Sequence, residues 1–498
     1  MTLSLGDAPL SIEQVLAVSR SGLEVQFTNS AEIRMRKSRE LFERRLANGQ
    51  TIYGVNTGVG RNVNIAIDTP GMRRLQHNVM NHLSCGTGAP LSEDHVRAAT
   101  LLRLATFAKG TSAVRLELAS ALLRLLNSGI VPIVPRYGSL GASGDLMPSA
   151  YVARILLGQG EVFFRGARMM AVEALATVGL SPIELAPKEG IALVNGTTFM
   201  SGAVALLWED CRRVQQALLG AVALTVEALQ ATAEPFEPWV HEQKGHPGQM
   251  AVSAYLRAMI KGSRFVRASE SQDCYSLRCA PQGLGPGWEG LIDARDTIER
   301  EMNSANDNPL IDPETGAIFQ AGNFYGGHIA RLLDTWKMDL SIQATWANAL
   351  FALLVDSRFN RGLPSNLAPE AGVNCGFQGM QLSITSLACA ARTFAGSSSI
   401  HTLPTEQYNQ DVVSLGMHAA VTAADSLACV RNAVAMVLLA AAQAVDLRGE
   451  PAWLGEGSRK LYLRLRGLSS FVSCDRAMEN DIAAVSSAIE TGSLDVGL

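Results

Sequence analysis

The second half of the chain contains long stretches rich in Ala and Leu, in which apolar residues recur every three or four positions. These stretches are Ser201–Ala233, Ala330–Val355, Gln381–Ala391 and Ala419–Leu447. The spacing predicts α-helices. Several of these helices are apolar nearly all the way round, which is typical of helices buried inside a bundle or between subunits. We therefore expect a mainly α protein built on long central helices.

The N-terminal part of the chain is richer in loops. Ala31–Leu46 is charged and helical, whereas Gln50–Asn64 is rich in Gly, Asn and Thr and predicts a loop. Leu91–Leu126 again has helical periodicity and predicts one or two helices. We expect an N-terminal domain at residues 1–200 and a domain of long helices at residues 201–498.

Few segments predict strands. Ile52–Val55 and Val162–Phe164 are short and contain β-branched or aromatic residues. Ile130–Pro135 is β-branched and contains prolines, which indicates a short extended segment. The sequence shows neither a solenoid-type repeat nor a low-complexity segment.

Charge and hydropathy exclude several classes of protein. Acidic residues outnumber basic ones by 46 to 42, and a net charge of −4 argues against nucleic acid as the main partner. Residues 1–13 lack the basic start and apolar core of a secretory signal. The densest apolar run, Ala433–Val445, is too short to span a bilayer before Asp446. We expect a cytoplasmic protein with no membrane segment.

The eight cysteines have no spacing typical of a metal site. They include no Cys-x-x-Cys pair and no histidine at zinc-ligand spacing, so we expect no bound metal. Buried, reduced thiols are the simplest interpretation, because a free cysteine packs as a small hydrophobic residue.

A glycine-rich stretch, Gly138–Asp145, allows several interpretations. It lacks the Gly-Lys-Ser/Thr ending of a phosphate-binding loop, and it is one residue short of a Gly-x-Ser-x-Gly nucleophile elbow. It could be a flexible loop, or it could cyclise. In a cyclisation, the amide nitrogen of Gly144 approaches the carbonyl of Ala142, which the missing Cβ of glycine permits. Loss of water from Ser143 would then leave a methylene conjugated to a five-membered ring, which is a strong electrophile.

The same stretch, continued through Ala150, resembles the signature of the histidine, phenylalanine and tyrosine ammonia-lyases and aminomutases. Members of that family carry a 4-methylideneimidazol-5-one group. Six further motifs resemble the family, in the family's order, from near residue 30 to near residue 480. They are Tyr53–Gly60, Val194–Thr197, Gln272–Arg278, Asn306–Leu310, Gly322–Phe324 and Tyr408–Asp411. One motif would be weak evidence, whereas seven in order are specific.

The resemblance implies a fold and a mechanism. It implies a helical architecture of the fumarase and aspartase type, assembled as a homotetramer with active sites shared between subunits. The group formed from Ala142, Ser143 and Gly144 would take the substrate amine, without a metal or a dissociable cofactor. Tyr53 would be the base that removes the β-proton. Because free tyrosine has a pKa near 10, that role needs dipoles or cations nearby.

The resemblance also implies a set of binding residues. Arg278 would bind the substrate carboxylate through its planar guanidinium, and Tyr275 would reach the catalytic site from a neighbouring subunit. The other expected site residues are Gly60, His82, Leu83, Asn195, Gln272, Asn323, Phe324 and Gln410. The chain departs from the common family pattern at Cys274, Ala280 and Tyr325, where proline, glutamine, and histidine or glutamine are usual.

Two positions bear on the substrate. His82-Leu83 is similar to the His-Leu pair of bacterial tyrosine-specific members, whereas phenylalanine enzymes commonly have Phe-Leu and histidine enzymes Ser-His. An imidazole can hydrogen-bond a para-hydroxyl that would otherwise be buried unpaired. Gln410 stands where histidine enzymes place Glu. We predict an ammonia-lyase that converts L-tyrosine to trans-p-coumarate, and L-phenylalanine to cinnamate more slowly.

Other functions remain open on the sequence alone. A tyrosine or phenylalanine 2,3-aminomutase would share the same group and return the amine to the β-carbon, and a histidine ammonia-lyase would form urocanate. A helical scaffold without activity is the alternative of a different class, and it would keep Ser143 unmodified.

Overall fold

The computed structural model describes residues 2–268 and 272–497, and helices dominate it. The eighteen α-helices of these residues are α1 (Ile12–Ser21), α2 (Asn29–Ala47), α3 (Thr69–His82), α4 (Glu93–Ala108), α5 (Leu116–Asn127), α6 (Leu146–Leu156), α7 (Ala171–Thr177), α8 (Glu189–Val194), α9 (Thr198–Ala228), α10 (Pro238–Glu242), α11 (Pro247–Ile260), α12 (Tyr275–Arg278), α13 (Ala280–Met302), α14 (Gly327–Val355), α15 (Gln378–Phe394), α16 (Gly416–Arg448), α17 (Glu456–Leu468) and α18 (Glu479–Thr491). The prediction of a mainly α protein is confirmed.

Strands are short and few. Those within the described residues are β1 (Thr2–Leu5), β2 (Glu24–Phe27), β3 (Thr87–Pro90), β4 (Val131–Pro132), β5 (Pro135–Tyr137), β6 (Glu161–Phe164), β7 (Ala167–Met170), β8 (Leu310–Ile311) and β9 (Ile318–Phe319). β1 and β2 pair in parallel, β3 and β5 antiparallel, and β8 and β9 antiparallel. The order β4-β6-β7 makes an antiparallel three-stranded sheet. β5 leads directly into the glycine-rich stretch.

The four long apolar stretches lie in α9, α14, α15 and α16, as predicted. α9 ends at Ala228, before the predicted end at Ala233. Gln230 adopts a left-handed conformation with φ 49°, and the amide of Ala231 donates to the carbonyl of Val226. Such an arrangement is a common way to end a helix.

The two strand predictions have opposite outcomes. Val162–Phe164 lies in β6, so that prediction is confirmed. The prediction at Ile52–Val55 is wrong, because none of these residues is in a strand and residues 53–56 form a turn. The first amide of the segment donates to Asn56 Oδ1 over 2.7 Å, and the amide of Gly54 donates to Thr57 Oγ1 over 3.1 Å. Side chains of the turn therefore bind amides that a neighbouring strand would otherwise bind.

The chain divides into two compact units. Unit 1 comprises Met1–Leu207, Arg295–Leu333 and Ser397–Val421, and unit 2 comprises Trp208–Ala294, Asp334–Gly396 and Thr422–Leu498. All nine strands named above belong to unit 1. The predicted division into a domain at residues 1–200 and a domain at residues 201–498 stays a prediction.

A hydrophobic cluster in unit 1 fixes the turn that carries Tyr53. Ile52 and Val55 are fully buried on either side of it, and they pack in one cluster with Phe42 and Met72. Burying a large apolar side chain stabilises a fold by about 1.5–3 kcal/mol. The turn is therefore anchored from both sides of the tyrosine.

Two helices, α14 and α16, are long and apolar enough to cross a membrane by length and composition. The apolar run before Asp446 is longer than the sequence analysis predicts, because α16 extends back to Gly416. In α16, 78% of the most apolar segment is buried inside the protein, as is usual for a core helix, whereas in α14 the share is 44%.

The prediction that the cysteines are buried is largely wrong. Cys211 is buried, and all eight thiols are free. The exposed ones are Cys85, Cys274, Cys375, Cys389 and Cys474. Four of these five lie outside the helices and strands, where less of the chain packs against a side chain.

Candidate active site

The glycine-rich stretch forms a tight turn at residues 141–144. The amide of Gly144 donates to the carbonyl of Gly141 over 3.2 Å, so Ala142 and Ser143 occupy the central positions. Ser143 has a φ of +55°, a left-handed conformation that costs a residue with a side chain about 1–2 kcal/mol. The turn brings the three residues of the predicted ring into one compact loop.

Gly196 binds this turn from one side. Its amide donates to the carbonyl oxygen of Ser143 over 3.1 Å, and its carbonyl accepts from the amide of Asp145 over 2.7 Å. A Cβ at Gly144 would overlap the Gly196 carbonyl, so only glycine permits this approach. Two of the family-like motifs are thus in direct contact.

Two cavities meet at Ser143, and the residues that line them belong to unit 1. Tyr53, Ser143 and Gln410 line both cavities. The larger one has a volume of about 350 Å³, which is in the range of small-molecule sites. Its polar lining residues include Asn308, Gln320, Tyr325, Asn409 and Asp411.

The narrower cavity is mostly apolar, and a histidine lies in its wall. Its apolar side chains are Val59, Val79, Leu83, Leu146, Ile191 and Val194. His82, Asn195 and Glu406 line it too, as does Gly60. The two cavities thus bring together nine of the predicted residues, which are Tyr53, Gly60, His82, Leu83, Ala142, Ser143, Asn195, Phe324 and Gln410.

The oxygen of Tyr53 accepts a hydrogen bond from the amide of Gly60 over 2.8 Å. Burial raises the pKa of Tyr53 above its usual value, the Gly60 amide opposes that shift, and the nearby carboxylate of Glu406 adds to it. The phenol is therefore held in place, but its anionic form needs a cation beside it.

Gln76 fastens the turn of Tyr53 to helix α8. Its buried side chain donates to the carbonyl of Gly54 over 3.0 Å and accepts from the amide of Gly190 over 2.9 Å. α8 leads directly to Asn195. One side-chain amide therefore relates the position of Tyr53 to that of Asn195.

Helix α3 places His82 at its C-terminal end. The helix begins at an Asp68 cap, whose carboxylate accepts from the amide of Gly71 over 2.8 Å. Nδ1 of His82 lies 3.2 Å from the carbonyl oxygen of Asn78. Because a carbonyl oxygen only accepts, this contact requires the tautomer with its proton on Nδ1. Its Nε2 is then an acceptor for a donor from a ligand.

The loop before Gln410 has an uncommon backbone. Glu406, Gln407 and Tyr408 have φ values of 48°, 53° and 65°, three left-handed residues in succession. Gln410 donates through Nε2 to the Ser143 hydroxyl over 3.0 Å. The Glu406 carboxylate lies where a Cβ of Gly60 would be. Residues held in sparsely populated conformations cluster at functional sites, and this loop delivers two polar groups to the narrower cavity.

Buried charges accompany the turn. Asp145 accepts from the amide of Met200 over 2.8 Å and from the hydroxyl of Ser139 over 3.1 Å. Burial raises the pKa of Asp145 to about 7. Lys188 and Asp307 form an ion pair of 2.6 Å in which both side chains are fully buried.

Three predicted residues, Gln272, Tyr275 and Arg278, belong to unit 2 and are not among the residues that line the two cavities. Tyr275 is 70% exposed, and the guanidinium of Arg278 lies over its ring, 4.6 Å from the centroid. Asp273 anchors this segment, because its carboxylate accepts from the amide of Thr232 over 2.8 Å.

Asn323 is not among the residues that line the two cavities. Its side chain donates to the carbonyl of Ala305 over 3.1 Å, while its neighbours Phe324 and Tyr325 line the larger cavity.

Sequence reasoning missed Glu406 and Asn308. Asn308 lies inside one of the family-like motifs, so the motif marked its neighbourhood. Nothing in the local pattern marks Glu406, because its place beside Gly60 depends on the left-handed loop.

A mainly helical fold that sets an Ala-Ser-Gly turn and a tyrosine around one cavity defines an enzyme of the aromatic amino acid lyase class. The chain belongs to that family: the model of the family described as aromatic amino acid lyase matches residues 10–467.

Particular relatives are similar over almost their whole length. The chain is 39% identical to the histidine ammonia-lyase of Anaeromyxobacter sp. (strain K), over 99% of this chain and 100% of that protein. The solved tyrosine aminomutase of Streptomyces globisporus has a TM-score of 0.94 and 34% identity, over 99% of this chain and 98% of that one. The phenylalanine aminomutase of Pantoea agglomerans has a TM-score of 0.94 and 32% identity, over 98% and 99%. The expected helical lyase architecture is confirmed.

Members of this family carry the 4-methylideneimidazol-5-one group, and the residues at the turn fit it. Gly144 lacks the Cβ that would block the turn, and Gly196 binds the Ser143 carbonyl oxygen. Oδ1 of Asn195 is buried at the narrower cavity without a hydrogen-bond partner among the described residues. Within residues 2–268 and 272–497, no group of three or more His, Cys, Asp or Glu could hold a metal ion.

Proposed function

We propose that this protein is an ammonia-lyase that prefers L-tyrosine and releases trans-p-coumarate and ammonia, with slower conversion of L-phenylalanine to cinnamate. The observation that carries the proposal is the narrower cavity, which joins apolar walls to the acceptor Nε2 of His82. A phenol needs both, because its ring is apolar and its hydroxyl is a donor.

The 4-methylideneimidazol-5-one group, when formed, supplies an electrophile for the substrate amine. Ring closure joins the nitrogen of Gly144 to the carbonyl carbon of Ala142 and releases one water. Loss of the Ser143 hydroxyl together with its α-proton releases a second. Gln410 binds that hydroxyl and Gly196 binds the adjacent carbonyl, so both hold the tripeptide in the turn.

Tyr53 is the proposed base for the β-proton. The amide of Gly60 fixes its oxygen, but its pKa is raised in the free protein. The ammonium group of a bound substrate is a cation, and a cation beside the phenol lowers its pKa. The carboxylate of Glu406 lies near Tyr53 and attracts that ammonium. Substrate binding therefore favours the active form of the base.

Arg278 is the proposed partner of the substrate carboxylate. We propose that Gln272, Tyr275 and Arg278 reach the cavity from a neighbouring subunit of a homotetramer, and that the enzyme acts in the cytoplasm. Two observations support the shared site: Tyr275 is exposed on the single chain, and Nε of Arg278 is buried with no hydrogen-bond partner among the described residues. Asn195 and Asn323 are proposed as further polar groups around the ring and the carboxylate.

Two other activities are weighed against this one. The solved structures that resemble this chain include aminomutases, and a 2,3-aminomutase would return the amine to the β-carbon. The relatives include histidine ammonia-lyases, but the position where the resemblance expects a Glu in histidine enzymes carries the neutral Gln410, and the acid at the narrower cavity is Glu406, which lies against Gly60. The tyrosine assignment follows from His82 and Gln410 together.

One experiment separates these possibilities. Purified protein is given L-tyrosine, L-phenylalanine and L-histidine in parallel, products are identified by chromatography with ultraviolet detection, and the peptide spanning residues 138–150 is weighed by mass spectrometry. We expect p-coumarate with the highest kcat/KM, a peptide lighter by two waters, and no turnover by Ser143→Ala. β-Tyrosine as the main product would show that the protein is an aminomutase. Urocanate as the main product would show that its substrate is L-histidine. An unmodified Ser143 in active protein would refute the electrophile.

A further inference from the structure

Helix α4 carries a buried arginine to which the proposed function assigns no role. Arg103 is 4% exposed, and its Nη1 donates to the backbone carbonyl of Asn195 over 2.6 Å. Its Nε and Nη2 have no hydrogen-bond partner among the described residues. Burial lowers the pKa of Arg103 to about 10, with the carboxylates of Asp307 and Asp145 opposing that shift. The guanidinium therefore keeps its charge at neutral pH.

The carbonyl of Asn195 and the amide of Gly196 are the two ends of one peptide group. Arg103 binds the oxygen end over 2.6 Å. The N–H end donates to the carbonyl oxygen of Ser143 over 3.1 Å. Hydrogen bonds in such a chain polarise one another, and a charged donor at one end strengthens the donor at the other.

We propose that Arg103 is a positioning residue that polarises the Asn195–Gly196 peptide group and makes the Gly196 N–H a strong donor to the Ser143 carbonyl oxygen. The inference rests on the proposed function, because that oxygen gains negative charge only when a nucleophile adds to the conjugated methylene. A donor that is already aimed at the place where charge develops stabilises the transition state without reorganising.

A matched control exists on the same helix. Arg97 also lies on α4 and also donates to backbone carbonyls, those of Val18 over 2.8 Å and Leu126 over 3.2 Å. Neither carbonyl belongs to a residue that lines the two cavities. Arg97 is half-buried, and Arg97→Gln therefore reports what the loss of a guanidinium that binds backbone carbonyls from α4 does to the fold.

The test compares Arg103→Gln, Arg103→Lys and Arg97→Gln with wild type. Glutamine can still donate a hydrogen bond but has no charge, whereas lysine keeps the charge. We expect Arg103→Gln to lower kcat by about tenfold to about a hundredfold, with KM changed by less than about threefold because Arg103 touches no substrate. The rate of addition of cyanide, a small nucleophile that needs no substrate pocket, should fall in parallel. Arg103→Lys should stay within about fivefold of wild type in both measurements, and Arg97→Gln should leave both unchanged.

Wild-type kcat and a wild-type cyanide rate in Arg103→Gln would overturn the inference, and so would losses of the same size in Arg97→Gln. If Arg103→Gln shows no cooperative melting, Arg103→Lys decides through its pH profile. A buried lysine loses its proton more readily than arginine, so its kcat should fall between about pH 7 and about pH 9 while that of wild type does not. A profile equal to that of wild type would overturn the inference.

The mass of the peptide spanning residues 138–150 shows whether a negative result refutes the proposed function or only the role of Arg103. An unmodified Ser143 in active wild-type protein refutes the proposed function and the inference with it. A peptide lighter by two waters, combined with no effect of Arg103→Gln, refutes the role of Arg103 alone.

Discussion

The side-chain amide of Gln410 donates a hydrogen bond to the hydroxyl of Ser143 over 3.0 Å, although the two residues are 267 positions apart in the chain. Both line the two cavities that meet at the Ala142-Ser143-Gly144 turn. An ionised carboxylate at position 410 could accept from a hydroxyl but could not donate to it. The amide at position 410 therefore binds the Ser143 hydroxyl in a way that an ionised glutamate at this position could not.

The first prediction concerns Tyr53. Tyr53→Phe removes the oxygen that accepts from the Gly60 amide and keeps the ring in its place. Loss of a general base typically lowers kcat by about 10²–10⁴-fold, and we expect a loss of that size for L-tyrosine. Stopped or continuous assays of p-coumarate absorbance measure it.

The base role has a second readout. The variant should still form the dehydrated tripeptide, since Tyr53 contributes no atom to it, so mass spectrometry of the peptide spanning residues 138–150 is the control. Turnover within about tenfold of wild type would remove Tyr53 from the base role.

The second prediction concerns His82. His82→Phe replaces the acceptor Nε2 with an apolar edge in the narrower cavity. The kcat/KM for L-tyrosine should fall by about 10²-fold and that for L-phenylalanine should rise, because the para-hydroxyl loses its partner. Parallel assays with both substrates give the ratio.

His77 offers a matched control for that substitution. It lies on the same helix α3 and is not among the residues that line the two cavities. His77→Phe should leave the ratio of the two kcat/KM values at the wild-type level. An unchanged ratio in His82→Phe would show that the hydroxyl is recognised elsewhere.

The third prediction is a pH dependence of stability. Burial raises the pKa of Asp145 to about 7, whereas in the unfolded chain the pKa of this carboxyl is near its ordinary value of 3.8. Between these values the folded protein holds a proton that the unfolded chain has released. The free energy of unfolding therefore loses a contribution from Asp145 as pH rises from about 4 to about 7, and this loss stays constant above that range.

Asp145→Asn isolates this contribution. The variant keeps an oxygen acceptor for the Met200 amide but does not titrate. Urea unfolding at several pH values should show a flatter dependence for the variant than for wild type between about pH 4 and about pH 7. Parallel curves would contradict the raised pKa of Asp145.

The helices are the part of the fold that the sequence predicts best. α14 and α16 bury apolar residues along their length, and that burial leaves a three-to-four residue spacing in the chain. The turn at Ile52–Val55 was not predictable in the same way. Its conformation depends on side-chain to backbone hydrogen bonds from Asn56 and Thr57, which leave no periodic pattern.

The candidate site also contains residues that the sequence marks and residues that it does not. Ser143, Gly196 and Gln410 belong to motifs of the family, and hydrogen bonds join them in the structure. Glu406 and Arg103 were not predicted as site residues, because their positions depend on contacts between segments that are distant in the sequence. The carboxylate of Glu406 lies against Gly60, and Arg103 reaches a backbone carbonyl 92 positions away. Neither contact can be predicted from the spacing of neighbouring residues in the sequence.

The fourth prediction concerns the buried pair of Lys188 and Asp307, which lies 2.6 Å apart with both side chains fully buried. Lys188→Met leaves the carboxylate of Asp307 buried without this partner, and such a loss destabilises a fold by about 3–5 kcal/mol. Asp307→Leu leaves the ammonium buried in the same way. The double variant removes both charges and both desolvation costs, so it should be less destabilised than the sum of the two single variants. Urea unfolding of the four proteins gives the coupling energy, which we expect to exceed about 1 kcal/mol. Strictly additive losses would mean that the interaction between Lys188 and Asp307 contributes nothing to stability.

Because burial already lowers the pKa of Lys188, the cost of an unpaired ammonium should be smaller at alkaline pH, where it can release its proton. The destabilisation in Asp307→Leu should therefore shrink as pH rises, whereas that in Lys188→Met should not.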